Sequence, residues 1–485
     1  KLSKRNNTRK TRYALLDLAT EILPRFVVLP SVGDNKYIII LDDIVRYALN
    51  DIFSFFDYDK AEAYTIKITR DAELDIDDDI SKSFMEKMSL SLEKRKRGQP
   101  VRFVYDASMP EDLLNYFQRR MRLGREDNII AGGRYHNFKD FMGFPNIGPS
   151  HLENKFKAPV PAMFFEHHKS ILEEINERDH ILHYPYQSFR YYIDMLREAA
   201  IDPRVTSIQI TLYRVAKKSV VINSLINAAR NGKKVMVVIE LQARFDEEAN
   251  IYWSNRLQEV GAKVIHGVPG LKVHCKLTLI ERKINKRIEH FAYIGTGNFH
   301  EETSKIYCDE GLFTSDRRIT SDVVKIFEFF DKNYKQHIFN HIILSPFSTR
   351  RHFIYHIDHE IKNAKRSKKA YMIIKMNSLV DEEMMEKLYE ASQAGVKIKL
   401  IIRGICSLKP GVPGLSENIE AISIVDKFLE HSRIFYFYHG GNEKVYISSA
   451  DWMVRNLDRR IEVTCPVYDP EIKRELKKML RIQLN

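Results

Sequence analysis

The sequence predicts an α/β protein in which two tandem strand-and-helix domains follow an α+β unit. Three observations predict it. Segments of strand periodicity alternate with segments of helical periodicity, as in layered α/β sheets. That alternation occurs twice, with matching helix-to-strand joints. Hydrophobic residues make up 44% and charged residues 29% of the 485 positions, which permits packed cores and argues against disorder.

The boundaries come from proline punctuation. Lys157-Ala-Pro-Val-Pro161 reads as an extended linker, and Ser345-Pro346 follows a helical stretch. Three domains are expected, at residues 1–156, 157–342 and 343–485. In the first, Tyr37–Leu41 and Val101–Tyr105 read as strands, and Ser81–Lys94 and Asp112–Leu123 as helices. Its acidic run Glu73–Asp79 lacks the glycine and closing glutamate of a calcium loop, so a solvated turn is expected. His136, beside Gly132-Gly133, is a candidate ligand contact.

The second and third domains read as copies. Ser207–Leu212, Val220–Asn231 and Lys234–Leu241 form a strand, helix and strand, as do Ala370–Met376, Glu382–Ala394 and Val396–Ile402. Gly232 and Gly395 stand where each helix needs a left-handed residue to end. The polar residues repeat as well. Leu271–Ile280 reads as a strand with His274 and Lys276 on one face, followed by the turn Gly295-Thr296-Gly297-Asn298 and then Asp309. His431 opens the strand His431–Phe437, followed by Ser448-Ser449 and Glu462. Each carboxylate lies fourteen residues after the first small residue of its turn.

Composition narrows the partner. Lys and Arg exceed Asp and Glu by 77 to 65, a net charge of +12, so an acidic partner is expected. No apolar run is long enough to span a bilayer. Four widely spaced cysteines match neither a zinc pattern nor a disulfide framework, which points to a reducing, cytoplasmic setting. Opening at Lys1 without methionine and ending within the helical pattern Glu471–Leu484, the chain reads as a piece of a longer protein.

Two such histidines facing one cleft suit phosphoryl transfer. A neutral imidazole can attack phosphorus and carry the group covalently, and a second can act as acid or base near neutrality. Asp309 is expected to orient His274, and Glu462 to orient His431. Arg214, Arg244 and Arg403 follow strands, where a planar guanidinium can grip phosphate. No P-loop is present. These residues alone leave a kinase and a phosphodiesterase about level.

The repeated motif resembles the phospholipase D superfamily, with Glu281 in place of its Asp, and with Arg433 and Tyr438 in the second copy. A more specific resemblance is to polyphosphate kinase of the bacterial phosphohistidine type. It is carried by Gly132–Pro145, His183–Phe189, Tyr213–Lys217, Glu240–Asn250, Pro269–His274, Ile294–Phe299 and Ser448–Trp452. The resemblance implies two phospholipase D-like catalytic domains, preceded by most of a head domain that resembles a dimerisation module. It implies reversible transfer of the ATP γ-phosphate to inorganic polyphosphate with Mg²⁺, and a phospholipase D-like phosphodiesterase is the alternative. His274 falls on the phosphorylated histidine and His431 on the second catalytic histidine. Tyr307, Arg403 and His431 fall on nucleotide contacts, with Arg460 and Lys276 as further phosphate candidates. The family's magnesium site falls on Arg214 and Arg244, read here as a grip on metal-bridged phosphates. ATP or ADP and polyphosphate are the expected partners, with no nucleic acid. Homo-oligomerisation as dimer or tetramer and peripheral association with the inner face of the membrane are further expectations.

Overall fold

The computed structural model describes every residue except 5–6, 19, 21, 71–99, 122, 124–127, 156, 168, 217, 242, 244–246 and 336. Contacts divide the chain into two compact units, Lys1–Lys155 and Phe156–Asn485.

The first unit is α+β. A hairpin pairs Phe26–Val32 with Asn35–Ile40. A separate sheet joins Ile66–Arg70, Pro100–Asp106 and Asn128–Gly132, with helix Glu111–Met121 between its last two strands. Phe103 and Leu113 are buried there. The expected helix Ser81–Lys94 and acidic turn Glu73–Asp79 lie outside the described residues. His136 Nε2 bonds locally to the Gly133 carbonyl at 2.7 Å.

The second unit contains two sheets built to one plan. In the first, the strand order is Lys263–Ile265, Lys234–Ile239, Val205–Leu212, Lys276–Ile284, Arg287–Gly295, Tyr307–Thr314. In the second it is Ile419–Ile422, Lys397–Ile402, Tyr371–Met376, Arg433–Phe437, Lys444–Ser448, Val463–Pro466. Each begins with three parallel strands and continues as an antiparallel meander. The crossover helices follow from their ends. Ser219 accepts from the Ile222 N–H to start helix Val220–Arg230, and Asp381 accepts from the Met384 N–H to start Glu382–Gln393. Gly232 at φ +78° and Gly395 at φ +94° end them in the left-handed conformation expected from the sequence.

The two sheets share one core. Leu277, Ile294, Leu312 and Phe327 of the first half belong to the same buried cluster as Ile434, Ile447, Val463 and Leu476 of the second. A second cluster, including Phe353, Met372, Leu400, Phe435 and Trp452, fills the other face of the second sheet.

Two expected strands are shorter than their patterns. Leu271–Ile280 breaks into Lys272–Val273 and Lys276–Ile284, and the strand expected from His431 begins at Arg433. The reason is a change of partner. Lys272–Val273 pairs in parallel with Arg460–Ile461 of the other half, and Leu429–Glu430 pairs in parallel with Tyr307–Cys308. His431 sits where the chain leaves the first sheet for the second, and His274 where it leaves a two-stranded pair with Arg460–Ile461 for the first sheet. Among the described residues, no helix is long and apolar enough to cross a membrane.

Candidate active site

Both histidines are held by the same backbone device. The N–H groups of His274 and Cys275 both donate to the Ile461 carbonyl at 3.0 Å. The N–H groups of His431 and Ser432 both donate to the Cys308 carbonyl, at 3.1 and 2.8 Å. Buried side chains brace these corners. Thr211 Oγ1 donates to the Cys275 carbonyl and accepts from the Leu277 N–H. At the equivalent place in the other sheet, Lys375 Nζ donates to Glu430 Oε2 at 2.5 Å and Ser432 Oγ at 2.7 Å.

The carboxylates are crossed relative to expectation. His274 Nδ1 lies 2.9 Å from Glu462 Oε2, and His431 Nδ1 lies 2.8 Å from Asp309 Oδ1. The expected pairing, Asp309 with His274 and Glu462 with His431, is therefore incorrect. The parallel pairs that join the halves set this: the register Val273↔Ile461 brings His274 beside Glu462, and Cys308↔Glu430 brings His431 beside Asp309. An ionised carboxylate only accepts, so each Nδ1 carries the proton and each Nε2 keeps its lone pair.

Each carboxylate is fixed in turn by the turn residue after Gly295 or Ser448. Thr296 Oγ1 donates to Asp309 Oδ1 at 2.6 Å, and Ser449 Oγ to Glu462 Oε2 at 2.5 Å. Asn456 Nδ2 adds a bond to Glu462 Oε1 at 2.7 Å. Burial disfavours charge on Glu462, yet His274, Lys276 and Ser449 hold it below the ordinary value. Burial likewise opposes the charge on Asp309, but His431, Thr296 and Arg433 hold it low.

The imidazoles are neutral. Burial depresses His274 to about 3, against the pull of Glu462 and with help from Lys276 and Arg460. Burial also lowers His431, aided by Arg433 and Lys276. A ring packs edge-on to each: Tyr213 to His274, with centroids 4.8 Å apart, and Tyr307 to His431 at 5.1 Å.

Cations surround the pair. Buried Lys276 donates to the His274 carbonyl and lies over the Tyr213 ring; burial lowers it to about 7. The charges of Arg460 and Arg214 both act on the Tyr213 hydroxyl, and that of Arg460 acts on His274 as well. Arg403 Nε donates to Asn377 Oδ1 at 3.0 Å, and Asn377 Nδ2 donates to the His431 carbonyl at 3.0 Å. Arg433 donates to the His431 carbonyl at 2.8 Å and pairs with both oxygens of Asp451, at 3.1 and 3.2 Å. Lys276 acts electrostatically on both imidazoles, so they belong to one charged cluster. Arg244 lies outside the described residues.

Among the described residues, no group of three or more His, Cys, Asp or Glu side chains is arranged to hold a metal ion. A guanidinium has no lone pair to offer, so Arg214 does not fit direct ligation of Mg²⁺. The residues beyond expectation are Tyr213, Thr296, Ser449, Asn377, Asp451 and Asn456. Thr296 and Ser449 had a signal, since both stand thirteen residues before a carboxylate that they bond. Asn456 reaches Glu462 from six residues away, while Tyr213 and Asn377 are brought to the histidines by contacts distant in sequence, and Asp451 is brought to Arg433 across the second sheet.

Comparison with known proteins gives one answer. Family models match in three places: the polyphosphate kinase middle domain over residues 1–144, C-terminal domain 1 over 170–336 and C-terminal domain 2 over 342–485. Polyphosphate kinase of Vibrio vulnificus (strain YJ016) is 49% identical over 477 residues, 98% of this chain and 68% of the relative. That of Escherichia coli (strain K12) is 48% identical over 476 residues, 97% and 69% respectively. The crystal structure of polyphosphate kinase from Porphyromonas gingivalis superposes with a TM-score of 0.82 at 39% identity, covering 96% of this chain and 68% of that one.

Proposed function

This chain belongs to the polyphosphate kinase family, a family of phosphotransferases, and from that premise we propose that its paired histidines move the ATP γ-phosphate to inorganic polyphosphate through a phosphohistidine. The observation that carries this reading is the crossed pair of histidine–carboxylate contacts, which keeps the His274 proton on Nδ1 and its Nε2 lone pair for phosphorus, while the Nε2 of His431 lies 3.2 Å from Arg433 Nη1.

In the forward direction, His274 Nε2 attacks the γ-phosphorus. The N–P bond forms as the bond to the β,γ-bridging oxygen breaks, and that oxygen leaves on ADP with the electron pair. The terminal oxygen of polyphosphate then attacks the same phosphorus, and the N–P electron pair returns to Nε2. His431 takes the proton of the incoming terminal phosphate when that oxygen carries one. Glu462 keeps the His274 proton on Nδ1 and stabilises the positive charge that the ring gains. Lys276, Arg214, Arg460 and Arg403 offset the phosphate charge, and Tyr307 flanks the nucleotide end. Phosphoanhydrides are broken and formed, so the exchange runs both ways, and positioning with charge stabilisation supplies most of the catalysis. Mg²⁺ enters as the counter-ion borne by the nucleotide phosphates, part of the substrate.

We assign residues 157–342 and 343–485 to the two catalytic halves and residues 1–156 to a self-association module of a dimer or tetramer. Support for the last comes from exposed side chains in the first unit, with Tyr47 at 91% and Phe55 at 94%. Light scattering of the intact chain against one lacking residues 1–156 tests it. The net charge of +12 supports peripheral attraction to an anionic leaflet at the inner face of the membrane, which vesicle sedimentation tests.

The decisive experiment uses ATP labelled at the γ-phosphate. The protein should acquire an acid-labile, alkali-stable label that ADP removes and that His274→Ala abolishes. Absence of label together with cleavage of a phosphodiester would overturn the kinase reading in favour of a hydrolase.

A further inference from the structure

One opening in the second half is lined by neither His274 nor His431. It is a cavity of about 500 Å³ formed where helix Thr349–Lys365 and the start of helix Pro470–Gln483 meet strands Lys444–Ser448 and Val463–Pro466. None of the residues of the histidine cluster lines it. Six basic or imidazole side chains do: His341, Arg351, His352, His356, Lys444 and Lys473. No carboxylate belongs to the lining.

The cations there are not neutralised by ion pairs. Among the described residues, neither Arg351 nor Lys444 forms a salt bridge, although the chain has many elsewhere. Lys473 reaches only a backbone carbonyl, that of Glu443, at 3.4 Å. Burial first, and then the charge on Lys444, hold Lys473 below the ordinary lysine value. Lys444 and Lys473 thus repel each other, only partly offset by Glu443, in a concavity that Arg351 also lines, an arrangement that an anion would relieve. The remaining polar groups suit a ligand with several oxygens. His341 Nδ1 bonds to the Tyr468 hydroxyl at 2.7 Å, and His352 Nδ1 to the Ser348 carbonyl at 3.2 Å. The exposed ring of Tyr355 stands at the rim.

We propose that this cavity is a second anion site, one that binds a run of phosphate groups apart from the histidine site. Three cations call for a multiply charged anion, and 500 Å³ is ample for several linked phosphates. Those phosphates could belong to an inorganic chain or to a nucleoside triphosphate. The inference concerns binding alone and does not rest on the phosphohistidine reading.

Titration calorimetry of the full chain with inorganic tripolyphosphate at fixed salt tests it. Two saturable sites are expected. Arg351→Gln with Lys444→Gln should weaken one of them by about tenfold per lost charge-assisted hydrogen bond, leaving the other and the melting temperature unchanged. Arg351→Gln alone, at an exposed position, should give the smaller loss, and Lys444→Arg should retain binding. Competition separates the sources: displacement by ATP but not adenosine supports a site for the phosphate run itself, and displacement by adenosine supports a nucleotide site. A single site in the unmodified chain, two sites undisturbed in the double variant, or equal displacement by citrate would each overturn the proposal. Because turnover is not read, loss of label in the phosphohistidine experiment would leave this result standing.

Discussion

The two halves of the second unit solve one problem with different carboxylates. The first half supplies Asp309 to its partner's histidine, and the second supplies the longer Glu462. The backbone compensates. At Gly297 an added Cβ would come within 2.1 Å of Asp309 Oδ2, whereas the equivalent residue in the other half, Ala450, already carries one. A short carboxylate needs the turn to come close, and a long one lets it stand back. The basic residue two after each histidine has diverged as well. Arg433 is neutralised by a bidentate pair with Asp451, while the turn position matching Asp451 in the other half is the uncharged Asn298, and Lys276 has its pKa drawn down to about 7. One half holds a fixed, spent charge; the other holds a titratable cation beside the nucleophile. Duplication preserved the geometry and specialised the chemistry.

The largest test of this asymmetry exchanges the carboxylates for amides. Glu462→Gln would remove the group that fixes the His274 tautomer, and label formation from ATP should fall by about 10⁴-fold. Asp309→Asn should leave labelling largely intact and slow the passage to polymer. The reverse result would restore the uncrossed pairing. Next in size, Asp451→Ala strands a buried guanidinium and should destabilise the fold by about 3–5 kcal/mol in denaturant titration. The same truncation at Asn298, where no charge is paired, should cost far less. Gly297→Ala should then cost about 1–3 kcal/mol through overpacking against Asp309, read as a shift in the denaturant midpoint.

The pH profile separates the two basic residues. Since burial lowers Lys276 to about 7, its cation is lost above neutrality, and kcat/KM should fall about tenfold per pH unit there; Lys276→Arg should flatten that limb. The sign for stability follows from the same depression. The unfolded lysine holds its proton up to 10.5 and the folded one releases it near 7, so this contribution is full above 10.5 and is lost as pH falls through 7. His274 behaves alike at lower pH, its contribution lost as pH falls from 6.5 towards 3. The smallest effect belongs to Ala450→Gly, which should cost only about 0.5–1 kcal/mol because no close approach exists there to relieve.

Much of this was legible before any coordinates. The helix ends at Gly232 and Gly395, the repeated strand order and the fourteen-residue interval to each carboxylate depend on local chemistry, so they could be read from neighbours in the chain. The partner of each histidine could not. Its choice rests on the two-residue pairs Lys272↔Arg460 and Tyr307↔Leu429, which join segments more than a hundred residues apart and carry no periodic signature. The same holds for Asn377, which links Arg403 to the His431 corner by side-chain bonds at long range. Strand periodicity also misled at Leu271–Ile280, because alternation continues across a corner where the backbone changes sheets.

The swapped contacts have an ancestral consequence. A lone half of this kind would present an imidazole with no acid beside it and an acid with no imidazole, so it could complete its chemistry only by exchanging segments reciprocally with an identical twin. Joining two such genes end to end would have turned that twin into a permanent neighbour, leaving each copy free to drift from its sibling.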